Sequence, residues 1–176
     1  MAQERTGAAT FQGNPLTLLG PELKVGDKAP DFVLLANDLS AVNLQKTAGK
    51  VRLISVVPSI DTPVCDLQTR HFNQDASNLG EGVVILTVSM DLPFAQKRWC
   101  AAAGVDRVVM LSDHRDASFG AAYGTLIKEL RLDSRAIFVV DRNGAIKHVE
   151  YVKEITNHPN YDAALLAAKN AVHLGG

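Results

Sequence analysis

The sequence predicts an α/β sandwich, a largely parallel sheet covered by helices, on three observations. Apolar runs rich in Val, Ile and Leu alternate with segments of helical character between Val51 and Ala103, the order of successive strand–helix–strand units. Asn143-Gly144 between two apolar runs marks a tight antiparallel hairpin. The chain then closes on an amphipathic segment from Tyr161 to about His173, with Tyr161, Leu165, Ala168, Lys169 and Val172 on one side at helical spacing.

Taken in order, Thr10-Phe11 and Leu16-Thr17-Leu18 flank the turn-rich Gln12-Gly13-Asn14-Pro15, which predicts a small hairpin appended ahead of the main fold. After Gly26-Asp27-Lys28-Ala29-Pro30, residues Asp31 to Leu35 read as a strand and Val42-Asn43-Leu44 as another. Val51 to Val57, Pro63 to about Ser77, Val83 to Met90 and about Leu92 to Ala103 then alternate strand and helix. Val108 to Leu111 supplies a short strand, Asp116 to Tyr123 a short helix closed by Gly124, and Ala136 to Val140 a buried strand. Asn143-Gly144 turns the chain into a strand from Ile146 to Val152. Parallel strands with helical crossovers, finished by an antiparallel hairpin and a last helix, describe a thioredoxin-like three-layer sandwich with an N-terminal β-hairpin extension. In such sheets the functional crevice lies beyond the carboxyl ends of the strands.

At 176 residues, 47% hydrophobic and 21% charged, the chain has enough apolar surface for one well-buried core, so residues 1–176 are expected to form a single domain. Eighteen basic against nineteen acidic side chains leave a net charge of −1, and no run of Lys and Arg offers a polyanion footprint; no nucleic-acid partner is expected. The N-terminus lacks the layout of a secretory signal, and no apolar stretch approaches membrane-spanning length. A cytoplasmic protein without membrane contact is expected. Two cysteines, Cys65 and Cys100, are too few for a disulfide scaffold, so redox chemistry competes with inert burial.

Cys65 is the residue on which chemistry converges. It ends the run Pro58-Ser59-Ile60-Asp61-Thr62-Pro63-Val64-Cys65, directly after a predicted strand. With Thr62 as N-cap and Pro63 as the first helical residue, the thiol falls at the third position of a helix, where unpaired N–H groups and the helix dipole favour a thiolate. Such an address sharpens sulfur reactivity. The distance along the chain to Cys100 excludes a CxxC pair.

The Pro58-x-x-x-Thr62-x-x-Cys65 pattern resembles the peroxiredoxin active-site signature. Further likeness runs from Val25-Gly26-Asp27-Lys28-Ala29-Pro30-Asp31-Phe32, through the segment Asp91 to Cys100, to Arg135-Ala136-Ile137-Phe138-Val139-Val140-Asp141. Together these resemble the thiol peroxidase subgroup, the atypical two-cysteine peroxiredoxins. The resemblance implies a peroxidatic Cys65 that takes oxygen from hydrogen peroxide or an organic hydroperoxide to become a sulfenic acid. It implies a resolving Cys100 that forms an intramolecular disulfide with Cys65, and thioredoxin as the reductant. Thr62 would hydrogen-bond thiolate and peroxide, and Arg135 would stabilise the thiolate and brace the oxygens. Pro58 would shape the turn and shield the sulfur. Nothing in the residues alone selects Arg135 over Arg131 or Arg142. A homodimer packed near the active-site helices is likewise an implication of the family. A disulfide needs α-carbons roughly 4.4–6.8 Å apart, so local unfolding around both cysteines is expected.

Blander readings stand beside these. Cys100, flanked by Trp99 and Ala101, alone reads as a buried small hydrophobe, and Arg135 alone as a surface charge. His71, His114, His148, His158 and His173 have no metal-ligand spacing with either cysteine, and no metal or other cofactor is expected. Asp113-His114-Arg115-Asp116 reads as a solvated helix entry with Asp113 in capping position. Phe94 and Trp99 are expected to shape an apolar mouth that admits alkyl hydroperoxides. Two other functions compete with the enzyme: a peroxide sensor whose Cys65–Cys100 disulfide alters partner binding, and a noncatalytic thioredoxin-like module.

Overall fold

The structure, a computed structural model, describes residues 3–174. Its core is a seven-stranded sheet. Three parallel strands, β5 (Val51–Val56), β6 (Val83–Ser89) and β7 (Val109–Ser112), are connected through α1 (Pro63–Leu79) and α2 (Pro93–Ala103). All six residues of β5 are buried, as expected of a central strand covered on both faces. Beyond β5 lie β9 (Ala136–Val140), antiparallel to β5, and β10 (Ile146–Tyr151), antiparallel to β9, and beyond β7 lie β3 (Leu34–Leu35) and β4 (Ala41–Val42). The thioredoxin-like three-layer sandwich is the observed architecture.

Alternation along the strands sorts the two faces. Leu53, Ile85, Ile137 and Val139 pack with Phe72 of α1 and with Ala164, Ala168 and Ala171 of α4 (Tyr161–Leu174). Ile54, Val56, Leu86, Val88, Phe138 and Val140 pack on the opposite face with Phe32 and with Phe119 and Tyr123 of α3 (Ser118–Tyr123). The buried stripe of α4 is therefore centred on three alanines, which let the helix sit close to the sheet; Lys169, placed on that side by periodicity, is exposed.

The N-terminal hairpin is longer than the turn signals suggested, β1 (Glu4–Phe11) and β2 (Asn14–Leu19), and is more than an appendage. Strand β8 (Leu126–Ile127), too short to give a sequence signal, pairs with β2 to make a second, three-stranded sheet. Ala9, Leu16, Leu18, Ile127 and Ile155 form its own apolar cluster. Two expected strands shrink: Asp31 to Leu35 leaves only Leu34–Leu35 in the sheet, and after Ala41–Val42 the chain enters a 3-10 turn, Leu44–Thr47, capped by the Asn43 side chain. No helix among the described residues is long and apolar enough to cross a membrane.

Candidate active site

The turn after β5 is built where the sheet ladder runs out. Val57 still donates its N–H to Val88 O, whereas Pro58 has none to give and ends the pairing. Asp91, in the equivalent turn after β6, then ties the loop down: its carboxylate accepts from Ser59 Oγ at 2.8 Å, Ile60 N at 2.8 Å and Ser89 Oγ at 2.6 Å. Helix α1 starts with Thr62 as N-cap in an extended conformation and Pro63 at the first position. Cys65 is thus in the first turn, as the motif predicts, and is fully buried.

The surroundings of the sulfur are polar. Arg135, at the entrance to β9, donates from Nη2 to Cys65 Sγ at 3.2 Å, from Nη1 to Gln68 Oε1 at 2.8 Å and from Nε to Ile155 O at 2.9 Å. Gln68 in turn donates to Ser55 Oγ at 2.7 Å. Arg135 is only 2% exposed, so the surface-charge reading of this residue fails. A guanidinium so placed is always charged, and each of its nitrogens is engaged. The site therefore unites Cys65, Arg135 and Gln68 from α1 and β9, residues 70 positions apart at the extremes.

Thr62 takes part differently from the expectation. Its carbonyl accepts the first intrahelical bond, from Asp66 N at 3.0 Å, but its hydroxyl donates to Ser59 O at 2.9 Å and makes no capping bond. With its proton so committed, the oxygen has lone pairs left to accept a hydrogen bond from a peroxide O–H. Thr62 and Pro58 line an apolar cavity of about 420 Å³ with Phe11, Val64, Leu130, Leu132, Ile155 and Arg135. Phe94 and Trp99 do not line it. Phe94 is 65% exposed on α2, whereas Trp99 lines an adjoining groove with Ile60, Thr62, Pro63, Asp66 and Leu67, which meets the cavity at Thr62 and Pro63. The cavity itself is walled by the hairpin and the β8–β9 connection, so Phe94 has no part in it and Trp99 stands beside it.

Cys100 stands in the last turn of α2, half-buried, and lines a groove with Asn37, Asp38, Val105 and Met110. Both cysteines are free thiols. Burial pushes the Cys100 thiol above its ordinary range. Its carbonyl accepts from both Gly104 N, a left-handed cap, and Val105 N. The helices carrying the two cysteines are clasped beside them: Asp66 pairs with Arg70 and accepts from Trp99 Nε1 at 3.2 Å, while the Arg70 guanidinium lies 5.4 Å from the Trp99 ring centre. Gln68 could have been found as the residue three past Cys65 on one helical face; Asp91, Asp66 and the clasp had no signal in the sequence.

Residues 24–165 match the family model described as Redoxin. The chain is 66% identical over 163 residues to the thiol peroxidase of Halalkalibacterium halodurans, covering 93% of this chain and 98% of that protein. It is 58% identical over 163 residues to the thiol peroxidase of Bacillus subtilis, covering 93% and 97%. A peroxiredoxin-like protein from Aquifex aeolicus, solved by crystallography, superposes with a TM-score of 0.87 at 42% identity, covering 95% of this chain and 97% of that one. The chain belongs to the redoxin family and, within it, to the peroxiredoxin-type thiol peroxidases, oxidoreductases that reduce a peroxide at the expense of a thiol.

Proposed function

We propose that Cys65 is the peroxidatic nucleophile of this enzyme, and the observation that carries the reading is the Arg135 guanidinium 3.2 Å from its sulfur. The thiolate attacks the hydroxyl-bearing oxygen of a hydroperoxide. The O–O bond breaks, that oxygen stays on sulfur as a sulfenic acid, and the departing oxygen takes a proton to leave as water or an alcohol. Arg135 stabilises the charge as it moves from sulfur to the leaving oxygen, and the Thr62 oxygen accepts the peroxide O–H. Pro58, buried in the turn and lining the same cavity, shapes the loop and shields the sulfur. The apolar cavity beside these residues supports alkyl hydroperoxides as substrates alongside hydrogen peroxide.

Cys100 then attacks the sulfenic sulfur, water leaves, and a Cys65–Cys100 disulfide forms within the chain. Because Cys65 is fully buried while Cys100 faces another groove, the first turn of α1 and the last turn of α2 open for this step. The terminal position of Cys100, next to the Gly104 cap, supports such opening. Thioredoxin reduces the disulfide and resets both thiols. On this reading the full chain acts as one domain, as a homodimer, in cytoplasmic antioxidant defence; exposed Leu67 on α1 and Phe94 on α2 support an apolar contact between copies.

The test is steady-state turnover with thioredoxin, thioredoxin reductase and NADPH, using hydrogen peroxide and cumene hydroperoxide in turn. Both substrates are expected to be consumed, Cys65→Ser is expected to be inactive, and Leu132→Asp is expected to depress cumene hydroperoxide turnover selectively. Equal loss on both substrates for Leu132→Asp would sever the cavity from substrate choice, and an active Cys65→Ser would end the proposal.

A further inference from the structure

Two carboxyl groups meet in the interior, and the reaction as described makes no use of them. Asp113 follows β7 and Asp133 precedes Arg135 by two residues; they are 1% and 0% exposed. Both aim at the same small space. A β-carbon added to Gly120 would stand 2.3 Å from Asp133 Oδ1 and 3.3 Å from Asp113 Oδ2.

Asp113 accepts from Phe119 N at 3.1 Å and from Gly120 N at 2.9 Å, the free N–H groups at the start of α3. The N-cap itself is Ala117; Asp113, read from the sequence as a cap at a solvated helix entry, is instead buried and holds these N–H groups from farther back, bonds that suit a carboxylate. Asp133 has a different environment. Its Oδ1 accepts from Thr125 Oγ1 at 3.1 Å, while Oδ2, fully buried, meets no N–H or O–H donor. Two bare carboxylates in one dry site repel, whereas a single proton on Asp133 turns its second oxygen into a donor to Asp113 and satisfies every group. Burial and the Asp113 charge both hold Asp133 well above the ordinary carboxylate range, and Arg131 in the neighbouring turn opposes them only as a lesser influence.

The connection that Asp133 pins is the one that carries Arg135. Residues 128–131 are exposed, and Arg131 has a positive φ of 55°, so the stretch between β8 and β9 is a protruding turn. Its return limb is fixed through Ser134 N to Thr125 O at 2.7 Å and through the Asp133 side chain to Thr125 Oγ1 at 3.1 Å. Arg135 follows at once, and Leu132, one residue before Asp133 and pointing to the other side, lines the apolar cavity. We propose that Asp133, protonated and hydrogen-bonded to Asp113, is a positioning residue that registers Arg135 on Cys65. The proposal rests on the role assigned above to Arg135.

The test is a double-variant cycle on single-turnover oxidation of Cys65 by hydrogen peroxide, read by rapid quench and mass. Asp133→Ala is expected to slow oxidation about tenfold, the scale of a small misplacement of a catalytic group. Asp133→Asn, which donates to Asp113 without needing a proton, restores the rate to within about twofold. In an Arg135→Ala background, Asp133→Ala has no further effect, because it acts through the arginine. Asp133→Ala at the wild-type rate, or slowing equally in both backgrounds, would overturn the positioning role while leaving Arg135 its own. Arg135→Ala at the wild-type rate would overturn both. Should the alanine variant fail to fold, Asp133→Val fills the space better and gives the same comparison.

Discussion

In the proposed cycle a sulfur with no solvent exposure gains its reactivity from one neighbour. Arg135 spends its three kinds of nitrogen on Cys65, Gln68 and a backbone carbonyl, so its direction is fixed by a fork that lysine lacks. Arg135→Lys keeps the charge and loses that geometry; in the proposed cycle it lowers the rate of Cys65 oxidation by about a hundredfold, the usual cost of one oriented electrostatic group. Rapid-quench kinetics checks this, and a loss below about threefold would reduce the arginine to a mere counter-charge. Cys100 adds a pH dependence. Its thiol is pushed up by burial, so it is protonated at neutral pH and must ionise to attack; the resolution step is expected to quicken as pH rises above neutral, measurable as the rate of disulfide appearance. At this scale the sequence was informative where partners are close along the chain. Pro58, Thr62 and Cys65 share one turn and could be read together. Arg135 could not, because the antiparallel pairing of β9 with β5 that delivers it is not written near either residue.

Between elements, the clasp of Asp66, Arg70 and Trp99 joins the two helices whose ends open in the proposed resolution step. It raises the cost of opening and should therefore govern resolution more than oxidation. Trp99→Phe removes the donor to Asp66 and is expected to speed disulfide formation about tenfold, equivalent to ~1.5 kcal/mol for one hydrogen bond to a charged group. Oxidation of Cys65 should change by less than about twofold. Unchanged resolution would mean that the helices open elsewhere. The elements themselves differ in legibility for physical reasons. The buried strands and long helices carry enough residues to show a period, whereas β8, two residues long, cannot, and without it the N-terminal hairpin looked detached. On α4 the periodicity gives Tyr161, Leu165, Ala168 and Val172, which all pack on the core, and misses only at Lys169; the centre of the stripe at Ala164, Ala168 and Ala171 is harder to read because alanine is a weak marker of burial.

For the whole molecule, the Asp113–Asp133 pair gives stability a direction with pH. An unfolded Asp133 releases its proton near pH 4, whereas the folded one, raised well above the ordinary range, retains it. The native state thus binds more protons than the unfolded state from about pH 4 up to that raised value, and this contribution to stability is lost as pH climbs through the window. Asp113 itself is also pushed up by burial, and Arg131 faces the pair from the β8–β9 turn. Asp133→Asn removes the proton requirement, so its melting temperature, compared with wild type, should improve as the pH rises above about 5. Parallel curves would mean that Asp133 is ionised in the fold.

The central claim is that Cys65 takes oxygen from peroxide and Cys100 resolves it within the same chain. Reduced protein mixed with one equivalent of hydrogen peroxide at neutral pH, quenched within about a second and mapped by mass under nonreducing conditions, addresses both sulfurs at once. The account predicts the loss of two hydrogens and a linked peptide joining Cys65 to Cys100. An unchanged mass would contradict the nucleophile, and a stable added oxygen on Cys65 without the linked peptide would contradict the resolver.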